Sequence, residues 1–331
     1  MPDIVVAPMA GGPSTPALVI AAARAGAIGY LAAGYKTPAA VEGELRAVQG
    51  RPYGLNIFVP TPPPPDLAAV ERYRALLQPE YDRYRVDPPA IRPADDDHFA
   101  AKVELAVAYR VPEVSFTFGV PGPGIVAALR PHSRVLVTVT DADEARRALA
   151  AGADALIAQG GTAGGHSATI APGRYTGDST AFDVLAAVRA VTDRPVLAAG
   201  GGDVPGLLRA GAAAVQCGTA FLPADEAGTR PAHRDALLAG GRDTVVTRAF
   251  TGQPARALRN RFTDTYSAAA PVGYPAVHHL TTPIRAAGDV EALNLWAGRD
   301  SVVRPGTAAA ILDWLRDTGM TQRSHRNSTH S

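Results

Sequence analysis

Residues 158–166 read Ala158-Gln159-Gly160-Gly161-Thr162-Ala163-Gly164-Gly165-His166 and follow the apolar run Ala155-Leu156-Ile157. Glycines let backbone N–H groups approach a ligand closely, and the Gln159 amide can both donate to and accept from a ligand edge. His166 then stands where a general base could stand. Taken alone, the run reads first as a glycine-rich βα loop carrying a surface histidine, and the rest of the sequence shifts that reading. Other polar or glycine residues also end apolar runs: Met9 before Gly11-Gly12, Asn56, the triplet Gly200-Gly201-Gly202, and Gln216-Cys217-Gly218-Thr219.

These residues need elements that bring them together. Eight apolar segments, at 3–9, 27–33, 53–59, 112–118, 134–140, 154–159, 195–200 and 213–218, read as strands. Ala-rich segments with helical spacing lie between them, at 15–25, 37–49, 98–109, 141–151 and 179–192. Such alternation means βαβ units and a parallel sheet. Eight units predict an α/β chain folded as a (β/α)8 TIM barrel, with active-site residues at the C-terminal strand ends. An open doubly wound sheet is the alternative, disfavoured because no dinucleotide fingerprint follows the first strand. The glycines after the seventh and eighth strands match the barrel phosphate site, where N–H groups hold the anion. With a flavin mononucleotide, Asn56 and Gln159 would bond the polar edge of the ring and Met9 would lie against it.

Two regions interrupt the rhythm. Residues 60–97 are a Pro-rich excursion with a short helix near 66–77, and residues 223–300 read as mostly helical. The expected organisation is a barrel over 1–222, a helical lid over 223–300, a closing helix over 301–319 and a disordered tail over 320–331.

The chain has 331 residues, 47% of them hydrophobic, and a net charge of +1. A large core is affordable in these terms, and there is no electrostatic footprint for nucleic acid or an anionic membrane. Cys217 is the only cysteine, which excludes a disulfide framework and a Cys-rich metal site. Lys36 and Lys102 are the only lysines, which argues against a Schiff-base aldolase. Asp95, Asp96 and Asp97 read as a solvated charge run with no metal role, and His98, His132 and His233 as surface residues. The chain enters a strand at once, and no stretch suits a bilayer span; a cytoplasmic protein is expected.

The segments PMAGGPSTP (8–16), GLNIFVP (54–60), VSFTFG (114–119), AQGGTAGGHS (158–167), PVLAAGGG (195–202), VQCGTAFL (215–222), YPAVHHLTTPIR (274–285) and NLWAG (294–298) carry a family resemblance. In that order they resemble the nitronate monooxygenase family, once called 2-nitropropane dioxygenase. The resemblance implies a barrel binding FMN noncovalently beneath a helical domain. It places cofactor contacts at Met9, Asn56, Gln159, Gly164, Gly201, Gln216, Cys217, Gly218 and Thr219. His166 becomes the base that takes the α-proton of a nitroalkane, whereas a preformed nitronate needs none. The implied reaction uses O2 to convert a nitronate or nitroalkane to a carbonyl compound and nitrite, without NAD(P)H. A homodimer is one candidate assembly. Alternatives are an FMN- and NAD(P)H-dependent enoyl reductase-like enzyme and a pathway-specific flavoprotein. Tyr274 and His278, with His279, are the lid residues that could face substrate or serve only as interface residues. Trp296 reads as packing. Two departures from the family pattern are Cys217, where methionine is usual, and Thr162, where a carboxylate is common and would brace the loop.

Overall fold

The eight strands close into one parallel barrel: β1 (Ile4–Val6), β2 (Ile28–Ala32), β3 (Tyr53–Phe58), β4 (Glu113–Thr117), β5 (Arg134–Val139), β6 (Ala155–Gln159), β8 (Val196–Ala199) and β9 (Ala214–Cys217). The structure, a computed structural model, describes residues 2–299 and 301–327, with the backbone alone for 318–327. Side chains alternate across each strand. One set, including Val5, Tyr30, Leu136, Ile157 and Leu197, fills the barrel interior. The other set, including Ile4, Val6, Leu156, Val196 and Val215, packs under the surrounding helices. Register puts Gln159 beside Ala199 and Ala199 beside Gln216, so one layer of the rim carries both amides.

The barrel helices are α1 (Pro16–Arg24), α2 (Pro38–Val48), α5 (Phe99–Ala108), α6 (Pro123–Leu129), α7 (Ala142–Ala150), α8 (Ala181–Arg189) and α9 (Val204–Arg209). Several start where a side-chain oxygen satisfies an orphan N–H: Thr15, Thr37, Asp141 and Thr180 each cap one. The closing helix α13 (Ala308–Asn327) buries Ala308, Ile311, Leu312 and Leu315 in the outer barrel core. Its backbone continues through the segment expected to be a disordered tail, and residues 328–331 lie outside the described residues.

The two interruptions pack together. The excursion contributes α3 (Leu67–Leu76) and α4 (Gln78–Tyr84), and residues 223–300 contribute α10 (Pro231–Ala239), α11 (Arg261–Tyr266) and α12 (Ala276–Ala286). Val70, Tyr73, Leu77 and Tyr81 share a core with Phe250, Phe262, Tyr266, Val277, Leu280 and Ile284. The Arg261 guanidinium grips Glu80 through both carboxylate oxygens, at 2.5 and 2.7 Å. Residues 223–300 also contain strands: β10 (Thr244–Thr247) and β11 (Ala255–Leu258) join β7 (Gly165–His166) in an antiparallel sheet. β11 reads as helical because Ala and Leu favour helices; pairing on both edges overrides that propensity.

Candidate active site

That small sheet places the histidine. β7 is the end of the glycine-rich run, and its pairing sets His166 opposite Ala255 and Gly165 opposite Arg256. The turn before it is braced at several points. The Gly161 N–H donates to Ser179 O at 2.6 Å, the Arg256 Nε–H to Gly161 O at 2.7 Å, and the Arg299 N–H to Thr162 O at 2.9 Å. The Thr162 hydroxyl donates to Gly200 O. A short hydroxyl therefore ties the β6 loop to the β8 loop.

A cavity of about 660 Å³ opens at the C-terminal rim. Met9, Asn56, Gln159, Gly164, His166, Gly201, Gln216, Cys217, Gly218, Thr219 and His278 all line it. Tyr274 does not; its ring stands behind the wall, 5.1 Å from Phe118 and 6.3 Å from both His166 and His278. His279 turns away to pair with Asp95 at 3.0 Å. Trp296 lines the cavity with its ring 5.2 Å from His166 and edge-on to Phe250.

The cavity surface offers donors and acceptors that the protein leaves open. Among the described residues, the N–H groups of Gly201, Gly202 and Gly218 donate to no protein acceptor. Asn56 Nδ2 is anchored on Ser115 Oγ at 2.9 Å and Thr117 Oγ1 at 3.0 Å, and Oδ1 keeps no protein partner. Gln216 Oε1 is buried and unpartnered. A buried polar atom without a partner is costly, which is the position of Gln216 Oε1. With the open N–H groups of Gly201, Gly202 and Gly218 on the same cavity, the set fits a ligand carrying an anionic phosphate and a hydrogen-bonding edge. Gln159 lines the cavity with its amide also tied to its own loop. Its Nε2 donates to His166 O at 3.0 Å and its Oε1 accepts from Ala168 N at 2.7 Å. The amide holds the loop in shape, with one N–H to spare.

His166 Nε2 lies 3.0 Å from Thr251 Oγ1. Thr251 has a second acceptor in Gln253 O at 3.3 Å, so its oxygen can receive an Nε2 proton and leave the lone pair on Nδ1. Among the described residues Nδ1 has no hydrogen-bond partner. Burial, and secondarily the positive charge of Arg285, push the His166 pKa down to about 3. The ring is neutral across the physiological range and has a lone pair to offer.

Tyr35 and Phe118 sit in the left-handed region at φ of 68° and 73°. Each such backbone costs on the order of 1–2 kcal/mol. The rings they aim form a chain around the site: Tyr35 meets Phe58 at 5.5 Å, Phe58 meets Phe118 at 4.6 Å, and Phe118 meets His166 at 5.5 Å.

Two surface expectations are corrected here. His233 is buried against the chain at 293–297, donates from Nε2 to Trp296 O at 2.9 Å, and lines the cavity. Burial pushes its pKa down to about 4. The Asp95–Asp97 run is also not simply solvated: Asp95 pairs with His279, Asp97 with the fully buried Lys102 at 2.7 Å, and only Asp96 is exposed. Among residues with resolved side chains, no cluster of His, Cys, Asp or Glu could hold a metal ion. Thr251, Arg230 and Arg285 were not legible as site residues, although Arg285 lies seven residues after His278 and hence on the same helix face.

Since the folded His166 and His233 both titrate below the ordinary histidine range, the unfolded chain binds more protons between about pH 6.5 and 4. Stability is therefore full above about pH 6.5 and declines as pH falls through this window. Thermal melts from pH 7.5 to 4.5 are expected to show a falling Tm, with a shallower fall in His233→Gln. An unchanged slope in that variant would remove His233 from the cause.

The family model described as nitronate monooxygenase matches residues 1–316. A probable nitronate monooxygenase of Staphylococcus aureus is 33% identical over 313 residues, covering 89% of this chain and 88% of the relative. Among solved structures, the nitroalkane oxidase from Streptomyces ansochromogenes superposes with a TM-score of 0.90 at 42% identity, covering 98% of this chain and 97% of the other. FabK from Thermotoga maritima superposes with a TM-score of 0.71 at 25% identity, covering 98% and 95%.

Proposed function

The chain belongs to the nitronate monooxygenase family and is an oxidoreductase, and on that premise we propose that it binds FMN and oxidises alkyl nitronates with O2. The products are a carbonyl compound and nitrite, NAD(P)H is not used, and neutral nitroalkanes enter once deprotonated. One observation carries this reading: unpartnered glycine N–H groups, open amide oxygens and a neutral imidazole converge on a single cavity.

FMN would be held at its phosphate by Gly201, Gly202, Gly218 and Thr219, and at its ring by Met9, Asn56, Gly164 and Gln216. Bound flavin supplies the electron-accepting chemistry that no side chain here possesses. His166 Nδ1 takes the α-proton of a neutral nitroalkane while Nε2–H stays on Thr251 Oγ1. The imidazolium formed in this way is paired at once with the new nitronate anion, which offsets the burial that disfavours its charge. A nitronate that arrives preformed needs no proton transfer, and the ring then only positions it. The aromatic chain from Tyr35 to Phe118 shields the reacting carbon from water.

The protein is expected to purify yellow, to release FMN on denaturation, and to form nitrite from a nitronate in air without consuming NADPH. A colourless protein, or one that consumes NADPH and leaves nitronates untouched, would refute the reading. Because free His166 titrates near 3, kcat/KM for a neutral nitroalkane is expected to stay level from pH 8 to about 5. A descending limb near pH 6.5 would mean that the imidazole is solvated and not held in the cavity as described.

A further inference from the structure

Among the described residues, the cavity wall contains two arginines, Arg230 and Arg285, and no carboxylate. Arg285 projects from the last turn of α12, and three of its donors are already committed. Its Nε–H donates to Thr281 Oγ1 at 3.0 Å, and Nη2 donates to His278 O and Thr282 Oγ1, each at 3.0 Å. Nη1 has no acceptor among the described residues. The His278 ring, which lies 3.3 Å from Nη2 through Nδ1, stacks flat on Tyr35 at 4.1 Å. The guanidinium plane is thus fixed by its neighbours while one edge remains free.

Among the described residues, the acidic groups near this end of α12 are engaged elsewhere. Asp95 is shared by His279 at 3.0 Å and Arg92 at 3.1 Å, and Asp97 is held by Lys102 and by the Tyr35 N–H at 3.0 Å. Arg230 adds a second positive charge and donates from Nη1 to Arg285 O at 2.7 Å. A guanidinium taken from water without a counter-ion is costly, and burial pulls its pKa down to about 10, which leaves it charged at neutral pH. Arg285 and His166 line the same cavity, so both groups address one enclosed space.

We infer that the free edge of Arg285 holds the negatively charged oxygen pair of the substrate, so that the site selects nitronate anions over neutral nitroalkanes of the same skeleton. This rests on the proposed nitronate chemistry. Arg285 binds and orients the anion; the planar fork suits a two-oxygen group in a way that an ammonium does not. The same contact stabilises the nitronate formed when His166 removes a proton.

The test pairs steady-state kinetics on ethyl nitronate and nitroethane with titration of sodium nitrate, a planar oxyanion that is not oxidised, followed by flavin absorbance. The proteins are the FMN-loaded wild type, Arg285→Gln and Arg285→Lys. In Arg285→Gln the nitronate KM and the nitrate Kd are expected to rise roughly 10- to 100-fold, as for a lost charge-assisted hydrogen bond, with the nitroethane KM moving far less. Arg285→Lys should fall between, with nitronate KM up about 3- to 10-fold. Near-wild-type nitronate KM and nitrate Kd in a folded Arg285→Gln protein would overturn the inference. If that variant does not fold or hold FMN, a wild-type KM in Arg285→Lys overturns it, and a raised one supports it. Should the wild type form no nitrite from nitronates, the functional proposal fails, and nitrate binding still decides whether Arg285 holds an oxyanion.

Discussion

His166→Asn is expected to lower neutral-nitroalkane turnover by roughly 10²- to 10⁴-fold, the usual contribution of a positioned general base. The loss on the matching nitronate is expected to be far smaller, because that substrate carries no proton to remove. The fold should survive the change. His166 is held in β7 through its backbone, opposite Ala255, and an asparagine amide can still reach toward Thr251. The comparison is kcat/KM for a nitroalkane and its nitronate in both proteins. Equal losses on the two would reject His166 as the base and leave it a binding residue.

Gly164→Ala is expected to damage the cavity wall itself. A Cβ at this position would lie 2.5 Å from Gly298 N and 2.6 Å from Ala297 C, both backbone atoms that cannot rotate aside. One of the two chains must move. Gly298 N donates to Thr219 Oγ1 at 3.0 Å, so displacement on that side disturbs Thr219, one of the residues proposed to hold the flavin phosphate. Displacement on the other side shifts Gly165 and His166. A stability loss of about 2–4 kcal/mol is expected, with flavin lost on gel filtration. Gly43→Ala is the matched control: this glycine is exposed inside α2, and nothing lies within 4 Å of an added Cβ. It should gain about 0.5–1 kcal/mol, since glycine loses more entropy than alanine in a helix. Denaturant unfolding of both variants decides the matter; a Gly164→Ala protein with wild-type midpoint and flavin content would contradict the close approach.

Much of this arrangement is legible without coordinates because barrel geometry converts chain position into rim position. Once the apolar runs ending at Asn56, Gln159, Gly200 and Cys217 are read as parallel strands, their polar ends must meet. Contacts between distant loops have no such periodic signal. β7 has only two residues, too few for alternation to show, and its partner β11 is Ala- and Leu-rich. β10, with its Val245-Val246 pair flanked by threonines, did carry a β-branched signal. The pairing of Asp95 with His279 depends on the excursion and the lid packing together, the burial of His233 on α10 meeting the chain at 293–297, and the pairing of Asp97 on Lys102 of α5; composition reveals none of these. Gln159 shows a role that residue type does not announce: while it lines the cavity, its amide also bonds its own loop. Arg285 gains its meaning only when the cavity wall is seen, among the described residues, to hold no carboxylate.

The most direct measurement is anaerobic rapid mixing of the purified yellow protein with ethyl nitronate, followed by admission of air, with NADPH as the parallel reductant. Loss of flavin colour with the nitronate and not with NADPH, then nitrite on exposure to air, is the expected result. Rapid bleaching by NADPH with no response to the nitronate would contradict nitronate oxidation as the chemistry of this cavity.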